Sequence, residues 1–212
     1  MSSLEQVNEF EQFTFKQWIA LGTAIGGLNV CKGVMRGTMK VTVETIRRLT
    51  HPTPFTSTAA EINLAEFWQT RPGLWLSDDF KELILKPAKL GTVAVEETTR
   101  SYADLAGLAN EAEIDAESPE GHIFENFEDF LAHLALQLKA QWGGVDGHLL
   151  NTEHKANLYR VRIGEEVLSV GAFWGSGRGE WRVSADRPRA DRWDAGCRAF
   201  FATAALASAP AL

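Results

Sequence analysis

From Asn157 to Ala185 apolar and polar residues alternate in three runs separated by glycine, the signature of consecutive antiparallel strands. Tyr159, Val161 and Ile163 alternate with Arg160 and Arg162, and Gly164-Glu165 supplies the glycine-first pair of a type II′ turn. Pairing across that turn sets Val161 opposite Leu168 and Tyr159 opposite Val170. A second connection, Gly175 to Glu180, sets Trp174 opposite Trp181, Ala172 opposite Val183 and Val170 opposite Ala185. One apolar face then runs across all three strands and demands a cover.

The segment from Asn126 to Gly144 is the natural cover. Asn126 caps a helix with Asp129 at its third position, and Phe127, Leu131, Leu134, Leu138 and Trp142 form one stripe. Gly143-Gly144 ends it. The fold class expected is α+β, with a mainly helical N-terminal part and a C-terminal three-stranded meander packed by helices. Helices are expected from Thr14 to about Gly26, from Thr58 to about Gln69 and from Ser77 to Pro87, and a strand feeding a helix over Met39 to Leu49. Thr92 to Val95 reads as a strand, Ser101 to Asp104 as the cap of a short helix, and Trp193 to Leu206, rich in alanine, as a terminal helix.

From Glu111 to Asp129 there are eight acidic residues and no Lys or Arg. The part through Gly121 reads as a loosely packed connector, so residues 1–212 are taken as a single compact domain with an internal boundary near 111–121. The net charge of −7 opposes direct nucleic-acid binding, which requires excess basic side chains. No apolar run is long enough to span a bilayer, and no signal-peptide pattern precedes Trp18. Two cysteines, Cys31 and Cys197, do not make a disulfide framework. The expectation is a soluble, reduced, cytoplasmic protein without a cofactor.

HExxH, paired CxxC, GxSxG and P-loop motifs are all absent. His148, Glu153 and His154 form a short polar cluster of metal-ligating types, but a loop before a strand explains it and no metal is assigned. Gly175-Ser176-Gly177-Arg178-Gly179 reads as a hairpin connection rather than an anion cradle. His133, beside the helical stripe, reads as a boundary residue.

Arg178 to Arg198 holds six arginines and four acids among tryptophans. Arg and Trp are the residues that dominate protein interfaces, so Trp174, Arg178, Trp181, Arg192 and Trp193 are the candidate interaction surface. The leading functional expectation is an interaction or accessory protein that binds a protein partner or self-associates. A second reading is an enzyme or anion-binding site at the C-terminal sheet, with His148 or His154 as base, Arg178 stabilising an anion and Asp194 orienting the base. A third is acidic mimicry of nucleic acid through residues 111–129.

Overall fold

A computed structural model describes residues 47–204 apart from 70, 147–148, 154 and 188–191. The expected helix over 14–26 and residues 39–46 of the strand and helix expected over 39–49 lie outside these residues; of the rest, Leu49 forms an isolated bridge with Leu105. The described residues form a mixed α+β fold. In chain order the elements are β1 (Thr53–Ser57), β2 (Ala60–Asn63), α1 (Leu64–Phe67), β3 (Leu74–Leu76) and α2 (Asp78–Phe80), which continues as a π-helical turn (Lys81–Leu85). Then follow β4 (Thr92–Val95), β5 (Thr98–Asp104), α3 (Glu111–Glu117), α4 (Phe127–Ala140), β6 (Asn157–Ile163), β7 (Glu166–Gly175), β8 (Glu180–Asp186) and β9 (Arg198–Phe201).

Among the described residues seven strands form one sheet in the order β1-β5-β9-β6-β7-β8-β3, and β2 pairs with β4 separately. The meander has the expected register throughout: Tyr159 faces Val170, Val161 faces Leu168, Ala172 faces Val183 and Trp174 faces Trp181. Gly164 takes φ 60°, the sign that the first position of a II′ turn requires. On the face shared by these residues lies α4, burying Phe130, Leu131, Leu134, Ala135 and Leu138 against the strands. Removing two complementary apolar faces from water holds this layer together. The cap is as expected: Asn126 Oδ1 accepts from Asp129 N at 3.0 Å. The helix ends at Ala140, two residues before the expected end at Trp142, because Gln141 leaves helical backbone to tie the following loop. Its amide donates to the carbonyls of Val145 and Leu150 and accepts from Leu150 N. Trp142 consequently swings out of the stripe and is 37% exposed.

Four local expectations are corrected. Residues 98–104 are strand β5, because pairing partners on both sides, β1 and β9, outweigh the capping potential of Ser101. Within the terminal helix expected over 193–206, the described residues 193–204 yield strand β9 and no helix, and 205–206 lie outside the described residues. Its residues Arg198 to Phe201 run antiparallel to β5 and parallel to β6, joining the two halves of the sheet. Helix propensity is worth only tenths of a kcal/mol per residue and yields to such pairing. Thr58 does not open a helix: residues 60–63 pair with β4, and Asn63 caps the short α1 instead. Lastly, Glu111–Glu117 is a helix rather than a loose connector, closed by a reciprocal capping box between Asn110 and Glu113.

Candidate interaction surface

The second face of the sheet is divided. Over its β5, β9 and β6 part sits α3, whose Ile114 packs with Ala103, Leu158, Ala199 and Phe201. Arg160 crosses beneath α3 and meets Asp115 in a fork, with Nε to Oδ1 at 3.0 Å and Nη2 to Oδ2 at 2.8 Å. Burial pushes the Asp115 carboxyl up, but His122 and Arg160 outweigh it and hold the group below its ordinary value. Glu111 also approaches Arg160, at 3.6 Å. A cavity of about 20 Å³ beside this cluster, with Ser169 and Trp193 in its wall, has room for a water molecule and no larger ligand.

Six of the eight acids of the 111–129 stretch, all but Glu120 and Glu128, meet internal partners. Glu117 accepts from the N–H groups of Arg48 and Leu49, Glu125 pairs with Arg162, and Asp129 pairs with Arg100. Arg100 is buried and also donates Nε–H to His133 Nε2 at 3.2 Å. His133 is therefore a buried acceptor and not the boundary residue expected. Burial, then the Arg100 charge, lower its pKa to about 4 despite Asp129 at 3.5 Å.

The sequence-derived surface residues do not form one patch. Trp181 is fully buried and donates Nε1–H to the carbonyl of Gln141, and Trp174 packs against it with ring centroids 5.5 Å apart. Both belong to the core, because their strand positions point towards α4. Trp193 is half-buried over Gly171 and exchanges backbone hydrogen bonds with Ala109. Arg178 is exposed at the hairpin tip, 4.0 Å from Glu180. Arg192 is half-exposed and lies 3.6 Å from Glu113, and Asp194 pairs with Lys155 at 3.8 Å. His148 and His154 lie outside the described residues. Among the described residues no three His, Cys, Asp or Glu side chains converge as metal ligands.

Among the described residues, no helix covers the β7–β8–β3 part of the second face, around a tryptophan that the sequence reading passed over. Leu74 and Leu76 of β3 point into the core, so Trp75 between them points outward and is 38% exposed. The guanidinium of Arg182 lies over its ring, 4.4 Å from the centroid, and 5.6 Å from the Phe173 ring. Glu180 approaches Arg182 Nε at 3.7 Å, a distance that leaves both buried atoms without a hydrogen bond. β3 pairs with β8 on one side, and among the described residues no strand pairs with its other edge, where Leu74 N–H donates to the Arg71 carbonyl. The Leu-Trp-Leu triplet carried the signal for this arrangement, a short period-2 run between a turn and a helix cap. No family model, curated protein or solved structure matches this chain. No helix among the described residues is long and apolar enough to cross a membrane.

Proposed function

We propose that this protein binds a polypeptide partner through the free edge of β3, with Trp75 as the anchor. The observation that carries the reading is the Trp75–Arg182 stack beside a strand edge that, among the described residues, no other strand covers. A sheet edge offers unpaired N–H and C=O groups to an extended segment, and main-chain pairing of that kind is a common mode of peptide recognition. An aromatic ring already fixed by a guanidinium loses little freedom on binding, which favours its use as a hot spot. The arginine and tryptophan chemistry expected of the C-terminal region is thus assigned to Arg182 and Trp75, in place of Trp174 and Trp181.

A photo-crosslinking amino acid at position 75, compared with one at exposed Thr56 on the opposite edge strand, tests the proposal. The expected result is a recurrent crosslinked polypeptide from position 75 and none from position 56, lost when Arg182→Ala is added. Light scattering separates a foreign partner from a second copy of the chain. Equal labelling at both positions, or none at position 75, overturns the reading.

A further inference from the structure

A cleft of about 360 Å³ opens between β2, α1 and the end of α4, lined by Glu61, Glu66, Phe67, Arg71, Lys139 and Trp142. Its volume falls within the range of small-molecule sites. Arg71 is held in a corner of two aromatic rings. Its Cζ lies 4.5 Å from the Phe67 centroid and 4.5 Å from that of Trp142, and the ring planes meet at 79°. Gly73 permits this, since a side chain there would press on the Trp142 indole at 3.0 Å. The aromatic corner holds the guanidinium at the cleft, and its Nε is buried without an acceptor.

Elsewhere in the fold the partly buried arginines have carboxylates: Arg100 with Asp129, Arg160 with Asp115, Arg198 with Asp104. Here, among the described residues, Arg71, Lys139, Glu61 and Glu66 line one cleft and none of the four is ion-paired. A guanidinium fork suits a planar carboxylate, and two carboxylates suit an ammonium. A phosphate dianion would meet Glu61 and Glu66, and a simple cation would meet Arg71 and Lys139. The balance of charge matches a ligand carrying one group of each sign, and Phe67 and Trp142 supply apolar wall.

We infer that this cleft binds a zwitterion with an apolar side chain, either a free α-amino acid or a short peptide with both ends charged. The site is separate from the Trp75 surface and stands without it. Titration calorimetry with leucine, phenylalanine and Leu-Leu, together with the N-acetyl and C-amide form of each, provides the test. At least one zwitterion is expected to bind with Kd at or below about 1 mM. Its single-charge analogues are expected to be weaker by about tenfold, the worth of a charged hydrogen bond. Arg71→Gln and the double variant Glu61→Gln/Glu66→Gln should each weaken the zwitterion by about tenfold, the second leaving the N-acetyl form unaffected. Lys139→Gln, on exposed helix surface, repeats the test of the cationic side if Arg71→Gln fails to fold. Binding by a free amino acid, or by Leu-Leu alone, distinguishes the two sources. Absence of binding by all three zwitterions, equal binding of the single-charge forms, or affinities unchanged in the folded variants would overturn the inference.

Discussion

Tyr159 and Phe200 stack nearly face to face, with ring centroids 4.9 Å apart and planes 12° from parallel. They are register partners across the parallel β6–β9 pair. The stack therefore marks the seam where the last strand joins the sheet, and Tyr159 Oη, donating to Gln137 Oε1 at 2.7 Å, ties that seam to α4. Burial pushes the Tyr159 phenol well above its ordinary pKa, so it remains a donor across the working pH range.

Truncating Phe200 removes a buried ring from between β5 and β6. Phe200→Ala is expected to cost about 3–5 kcal/mol, read as a lower urea midpoint for unfolding. A loss under about 1 kcal/mol would mean that β9 contributes little to holding the two halves of the sheet.

His133 makes stability depend on acid. Its folded pKa of about 4 lies below the ordinary value of 6.5, so the unfolded chain takes up a proton first as pH falls. The stabilising neutral form is fully effective above about pH 6.5, and its contribution declines towards pH 4 by on the order of 3 kcal/mol. Asp129 and Arg100 face the same ring, so the measurement is a difference. Wild type minus His133→Gln, followed by urea unfolding from pH 7 to 4, should show this slope. Parallel curves for the two proteins would refute it.

Asp115 acts in the opposite chemical sense with the same direction in pH. Its depressed carboxyl pKa adds stability above the ordinary carboxylate value, and this is lost as pH falls through the depressed one. Asp115→Asn leaves the Arg160 guanidinium short of a charge beneath α3 and is expected to cost about 2–4 kcal/mol at pH 7. Thermal unfolding of the variant should consequently be less sensitive to acid than that of wild type.

Gly144 closes the turn after α4 at φ 69°, and a β-carbon there would overlap the indole of Trp174. Gly144→Ala meets both a left-handed backbone and the core tryptophan. A cost of at least about 2 kcal/mol is expected, with changed near-ultraviolet dichroism from the Trp174–Trp181 pair. Gly143→Ala, also at positive φ but with open space around it, should cost less, and equal losses would exclude the indole as the cause.

The sequence alone determined what local period and nearest-neighbour chemistry control. The β6–β7–β8 registers follow from alternation and two glycine turns, and the α4 start and the Ser77 cap follow from side chains beside their own helix. Tertiary structure decided whatever depends on a distant partner. Arg198 to Phe201 sit inside the 193–206 stretch read as a helix from its alanines, and form a strand because β5 and β6 stand ready on either side. The acids of α3 read as a solvated run until Arg160 and the Arg48–Leu49 backbone are placed against them. The same limit governed the surface. The register that alternation gives already puts Trp174 and Trp181 on the covered face, whereas the exposure of Trp142 depends on Gln141 turning to bond Val145 and Leu150. Local alternation decides which face of a strand is apolar, but which distant element covers that face is settled only when another layer removes it from water, and that lies outside any local window of residues.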